Sequence, residues 1–220
     1  DAGGIAGAII AGTTFANNSV KDAKVYYSTA KNYASAGEIV SGRTGFVPDS
    51  TNNATNVTVA NIVSNADELS AVLDATYNTD TMILLTNDIA LSDEWDSHAL
   101  NISSNVSVII DGNGKTVSEL TTSTTTNVAG FASNGLISGV NTPDYPNGPG
   151  SLIVKNLTIE NANVSSTYES LLPASAALIG SVNNTHLTVE DVTVTGANIS
   201  SDFYAGGLIG YVQGNYNEDI

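Results

Sequence analysis

The densest group of side chains able to do chemistry is Asp93-Glu94-Trp95-Asp96-Ser97-His98. Three carboxylates this close can offer oxygen ligands to a hard cation such as Ca²⁺. Asp93, Glu94 and Asp96 are therefore the candidate metal ligands, and Trp95 beside them can stack on a sugar ring. The plainer alternative is a solvated loop anchored by one aromatic. A second set is spread along the chain: Asp22, Asn61, Asn156 and Asp191 each occupy the polar place in a phrase of apolar, any, Asn or Asp, apolar. They fall at one repeat position and so can stack. Clustered carboxylates at the right separation hydrolyse glycosides, whereas a column of Asn and Asp at a repeated bend is a structural ladder, because these residues tolerate left-handed backbone. Asp111-Gly112-Asn113-Gly114-Lys115 lacks the later glutamate of a calcium loop and reads as a turn. Nine sequons, at Asn17, Asn53, Asn56, Asn101, Asn105, Asn156, Asn163, Asn183 and Asn198, are candidate glycosylation sites. With 25 Asn and 48 Ser plus Thr in 220 residues, composition alone gives about five.

The groups that would position these side chains are written as repeats. Ala205-Gly206-Gly207-Leu208-Ile209-Gly210-Tyr211-Val212 echoes Ala2-Gly3-Gly4-Ile5-Ala6-Gly7-Ala8-Ile9, with looser copies beginning at Ala36, Gly135 and Ala176. Residues 151–166 align without gaps on residues 186–201, an offset of 35, which sets His186 against Ser151 and gives that histidine no need of a function. Units of this length bury their apolar faces against one another, as stacked repeats do. Short, alternating, β-branched runs at 57–63, 106–110, 152–159 and 187–194 predict strands. The polar residue in each phrase predicts a bend after which the strand resumes in a second sheet. The paired glycines predict a strand packed tightly on its neighbours, with Leu208, Ile209 and Val212 supplying buried side chains. One helix is predicted over 65–76, with Asn65 as its cap, Glu68 three residues on, and Leu69, Val72 and Leu73 on one face. Thr121–Thr126 and Asn141–Gly150 are predicted surface loops.

Composition narrows the function. Six Lys plus Arg against 22 Asp plus Glu give a net charge of −16, which argues against nucleic acid and against anionic membrane surfaces as partners. No run of 18 apolar residues exists to insert in a membrane. Cysteine is absent, so disulfides and thiolate metal sites are too. The chain opens at Asp1 rather than Met, as a processed or excised segment would.

The predicted helix followed by ILLTNDIAL (83–91), VSVIIDGNGKTV (106–117) and LIVKNLTIENANV (152–164) resembles the opening of a pectin-lyase-like right-handed parallel β-helix. AGGLIGYV (205–212) is similar to the GLUG motif of large microbial surface proteins. The resemblance implies an all-β chain, a right-handed parallel β-helix or solenoid with one short helix. Residues 1–64 would be solenoid rungs that dock or close the structure, and residues 65–220 a β-helix headed by its capping helix. The helix follows repeat phrases instead of preceding them, which departs from the family order. Many proteins of the resembled class are polysaccharide lyases or hydrolases. The single Arg43 and five Lys leave little for uronate chemistry, so no catalytic residue is assigned. The expected function is an extracellular surface protein, structural or adhesive, self-associating head to tail as a filament subunit or forming a slice of a longer tandem array, with Ile5 and Leu208 as assembly candidates. Its partners are then copies of itself or flanking repeats, and glycans. The alternative is a carbohydrate-active enzyme or glycan-binding module of the same fold. No cofactor is expected, Ca²⁺ at the 93–98 cluster being the one ion considered.

Overall fold

The computed structural model describes residues 2–3, 19–27, 36–37, 53–55, 58–91, 94–96, 98–122, 126–128, 131–167 and 172–214. Strands dominate, and the described residues are all-β apart from one α-helix and a short 3₁₀ turn at Tyr145–Asn147. The largest sheet has seven strands. Along its main path, Thr185–Thr195 pairs with Gly150–Glu160, then follow Ser107–Ser118, Thr81–Leu85, Thr58–Val63 and Lys24–Tyr27, every pair parallel. Ile89–Ala90 also pairs with Ser107–Ser118. A five-stranded sheet runs Ile209–Gln213, Ile179–Asn183, Ile137–Asn141, Ala99–Ile102 and Thr76–Tyr77, again parallel.

The chain visits these sheets in a fixed order. Gly150–Glu160, Asn163–Ser166, Leu172–Ala176 and Ile179–Asn183 make one pass. Thr185–Thr195, Asn198–Ser201, Tyr204–Gly206 and Ile209–Gln213 make the next, each pairing in parallel with its predecessor. The pairing of Ser151 with His186 and of Asn163 with Asn198 reproduces the offset of 35. It becomes 30 from Ala174 against Tyr204 onward, because the earlier pass carries five more residues between Ser166 and Ala174.

Left-handed residues make the corners. Asp22, Asn156 and Asp191 have φ of 50°, 53° and 51°. In the Ser107–Ser118 strand the corresponding place is a bulge, where Asp111 faces Lys155 and Lys115 faces Leu157, with Asn113 at φ 54°. The strand does not change sheets at this bend as predicted: Gly150–Glu160 pairs with Thr185–Thr195 on both sides of it. The change comes at a second corner, Glu119, Asn161 and Gly196, with φ of 61°, 55° and 63°. There the Asn161 amide donates to Glu119 Oε1 at 2.9 Å. Asn61 is not part of the first ladder. It is buried within Thr58–Val63, opposite Tyr27 and Ile83. The offset of 34 holding on both sides of Asp22 makes Asn56 its counterpart by count, and Asn56 lies outside the described residues.

The helix is Ala66–Leu73, shorter than the predicted 65–76 because the chain turns into the strand Thr76–Tyr77. Asn65 Oδ1 accepts from the Glu68 N–H at 3.0 Å, as a cap should. Glu68 reaches one residue further back than a capping box requires, accepting from the Ser64 N–H at 2.8 Å. Leu69, Val72 and Leu73 are buried against Ile83, Leu85 and Leu136. The Tyr77 hydroxyl donates to the Val72 carbonyl at 2.9 Å and helps close the helix end. Burial, with Tyr27 adding to it, holds that hydroxyl protonated far above the ordinary tyrosine range.

Glycine sets the tight packing near the 131–134, 172–176 and 204–206 strands. A Cβ at Gly180 would lie 2.6 Å from the Ser138 carbonyl oxygen and 2.7 Å from that of Asn134. The space left is filled by small hydroxyls: Ser133 bonds Ser181 and Ser175 bonds Ser166, each at 2.7 Å and each buried. Part of the predicted threonine loop is not loop: Thr121–Thr122 pairs with Asn163–Val164 and Thr122 is buried. Two β-branched residues directly after a left-handed corner suit a strand better than a turn. Thr126–Val128 is a further strand, antiparallel to Phe131–Asn134.

Candidate functional site

Two places stand out, a cleft beside the helix and the face of the last described pass. The cleft has a volume of about 190 Å³ and is bordered by Asp67, Ser70, Glu94, Trp95, Asp96 and His98. Its walls come from the first half of the helix and from the chain between Leu91 and Ala99. Trp95 is 7% exposed, and its indole N–H donates to the Leu136 carbonyl at 3.0 Å. His98 is buried and packs edge-on to Trp95, with centroids 4.5 Å apart. Its Nδ1 lies 2.9 Å from Asp74 Oδ1. A carboxylate can only accept, so Nδ1 carries the proton. Nε2, on the far side of the ring, is buried without a hydrogen-bond partner among the described residues.

This geometry decides between the two readings of the 93–98 cluster as far as the tryptophan is concerned. Trp95 is an anchor sunk in the core and shows no open face on which a sugar could stack. Glu94 and Asp96 do border the cleft and are exposed, while Asp93 lies outside the described residues. Among the described residues, no three His, Asp or Glu side chains converge as a metal would need. Neither does the Asp and Asn ladder converge on a catalytic pair. Asp111 Oδ1 accepts from the Asn156 amide at 3.0 Å and from the Asn113 N–H at 2.8 Å, and Lys155 Nζ lies 3.7 Å from its other oxygen. That carboxylate is engaged in holding two passes together.

The sequons fall into similar ladders. The amide nitrogen, where a glycan would attach, donates to Asn147 O from Asn105, to Asp111 from Asn156, to Asn141 from Asn183 and to Asn163 from Asn198, at 2.8–3.0 Å. Asn163 and Asn198 are exposed neighbours on adjacent strands. Asn101 is half-buried and in register with Asn141. Asn53 lies in the strand Asn53–Thr55, and Asn17 lies outside the described residues. The unbroken row Asn101, Asn141, Asn183, Gln213 was not foreseen. Its signal in the sequence is an amide at or next to the end of each of these strands.

At the second place, burial is graded along the stack. Leu152, Val154, Leu157, Ile159 and Val164 are buried, while their in-register partners Leu187, Val189, Val192, Val194 and Ile199 are only half-buried. Leu178 is fully buried, and Leu208, one pass later, is partly exposed. Val182 is 1% exposed and its partner Val212 is 58% exposed. Val212 therefore does not supply the buried side chain predicted for it, because no strand lies beyond it among the described residues. Ile5 lies outside the described residues.

No family model, no curated protein and no solved structure matches this chain.

Proposed function

We propose that this chain is an extracellular structural or adhesive protein, a right-handed parallel β-solenoid whose copies associate head to tail. The observation that carries this reading is the pass 185–213, which no further strand covers among the described residues. Leu187, Val189, Val192, Val194, Ile199 and Leu208 repeat the pattern of a buried layer while remaining half in water. Full burial of one such side chain is worth about 1.5–3 kcal/mol. The self-repulsion of an acidic chain opposes association, and salt screens it. The fixed visiting order, the parallel registers and the left-handed corners all support a solenoid. The rows of amides and hydroxyls bonded between neighbouring strands support a building role.

The test is the state of association. Wild-type protein should sediment as a concentration-dependent series of oligomers or form filaments visible by electron microscopy. Leu208→Lys places a charge in the middle of the uncovered face and should hold the protein monomeric at the same concentrations. Ile5→Lys, in the opening copy of the glycine-rich phrase, is the companion variant. A lysine variant that assembles as readily as wild type would remove this face from the association.

One observation favours a second reading, a glycan-binding module. The cleft beside the helix is bordered by Asp67, Glu94 and Asp96, all able to accept hydrogen bonds from sugar hydroxyls. The burial of Trp95 takes away the stacking surface such modules use, so the structural reading is preferred. Titration with neutral oligosaccharides, followed by resonances of Ser70 and Asp96, separates the two.

A further inference from the structure

The passes that hold the two edge strands of the large sheet share a phrase at five of nineteen positions. Residues 19–37 align with 188–206 at a constant offset of 169, without a gap. Val20 falls on Val189, Asp22 on Asp191, Val25 on Val194, and Ala36-Gly37 on Ala205-Gly206. The backbone agrees with the letters, since Asp22 has φ 50° and Asp191 has φ 51°. Within the molecule, strands that share this phrase stack in parallel, as Gly150–Glu160 does on Thr185–Thr195. Among the described residues, Thr185–Thr195 has no strand on its other edge, and neither does Lys24–Tyr27.

Resting on the head-to-tail reading above, we propose the register of the joint. Ser19–Tyr27 of one copy continues the sheet of another by pairing in parallel with Thr185–Thr195, Val20 against Val189 and Val25 against Val194. Charge supports this register. Asp111, Lys155 and Glu190 stand in one column across three strands, alternating in sign. The next position in that column is taken by Lys21, exposed in the free chain. The one like-charge meeting, Asp22 beside Asp191, is offset by Lys21, whose Nζ is 4.0 Å from Asp22.

The register has a consequence for the opening phrase. Ala2–Gly3 pairs in parallel with Ala36–Gly37, as Leu172–Ala176 pairs with Tyr204–Gly206. It thus occupies the level that Tyr204–Gly206 of the incoming copy must take. The shared Ala-Gly-Gly then has a role: in a single copy, Ala2–Gly3 covers the edge of Ala36–Gly37, and on docking Ala205–Gly206 of the other copy displaces it. Ala2–Gly3 is a self-made cover that slows assembly.

The sequence contains no cysteine, so introduced thiols are the only ones present. Lys24→Cys and Thr193→Cys are combined in one full-length chain. The two exposed positions face each other across the proposed joint. Within one chain they are five strand spacings apart, about 24 Å, too far for a disulfide. Oxidation should give a ladder of covalent dimers, trimers and longer species. The pair Lys24→Cys with Thr158→Cys, one strand further inside, should give none. Gly3→Pro, which removes an N–H from the covering strand, should make the wild-type background assemble several-fold faster by light scattering. Wild-type protein that stays monomeric overturns the association itself. Oligomers that form while the 24/193 pair stays uncrosslinked overturn this register alone. Assembly no faster with Gly3→Pro overturns the displacement.

Discussion

Asn156 shows how much a single corner residue carries. Its φ of 53° costs an ordinary side chain roughly 1–2 kcal/mol, and its amide ties Asp111 of the preceding pass. Asn156→Ala should therefore lower the unfolding free energy by about 2 kcal/mol in urea titrations. Asn156→Gly, which keeps the backbone and loses only the amide, should cost less than half as much. Tyr77 makes a different prediction. Its pKa is raised in the folded state by burial first and Tyr27 second, so above pH ~10 the unfolded chain releases a proton that the folded one keeps. Stability is unaffected by this group below that value and falls as pH rises past it. Tyr77→Phe should flatten that alkaline slope while costing about 1 kcal/mol at neutral pH for the bond to Val72, as thermal melts from pH 8 to 11 would record. The left-handed corners at Asp22, Asn156 and Asp191 were legible because an apolar residue follows each at the third position, Val25, Ile159 and Val194. Asn61 fails that spacing, since Ser64 stands there, whereas Asn56 passes it with Val59. A polar letter alone does not mark a corner; its distance to the next buried residue does.

Among the elements, the strands around Gly180 leave no room for a side chain there. A methyl group there would have to enter between the Ser138 and Asn134 carbonyls, and both belong to backbone that cannot swing aside. Gly180→Ala should destabilise by about 2–4 kcal/mol, within the range for overpacked and strained sites. Gly207→Ala, in the same phrase one pass later, meets nothing within 4 Å and should melt within a degree or two of wild type. Strand positions in the large sheet were readable because Leu152, Val154, Leu157 and Ile159 alternate with polar residues on either side of a single break. The 35-residue offset even supplied the register. Thr121–Thr122 escaped because six near-identical letters carry no alternation, and only the partner strand Asn163–Val164 reveals them as paired. The cleft was half legible. The acidic letters between 93 and 98 marked the place, but the burial of Trp95 depends on Leu136, forty-one residues away, and no local pattern encodes that contact.

For the molecule as a whole, the proposed association would tie stability to concentration, because the layer that is buried at Leu152 is only half-buried at Leu187. A layer finished by a neighbouring copy would gain stability with the logarithm of the copy concentration. The effect of Leu208→Lys should accordingly be large in concentrated samples and vanish on dilution. The parallel sense of every pairing along the main path of the seven-stranded sheet has a mechanical consequence. Hydrogen bonds between strands lie along the stacking axis, so tension applied from one extremity to the other stretches them lengthwise. At the level between Gly150–Glu160 and Thr185–Thr195 ten residue pairs face each other across the gap, and those bonds share the load at once instead of failing in sequence. A cable assembled from such units would also have distinguishable ends, one presenting Ser19–Tyr27 and the other Thr185–Thr195, and so could lengthen at one tip while anchored by the other.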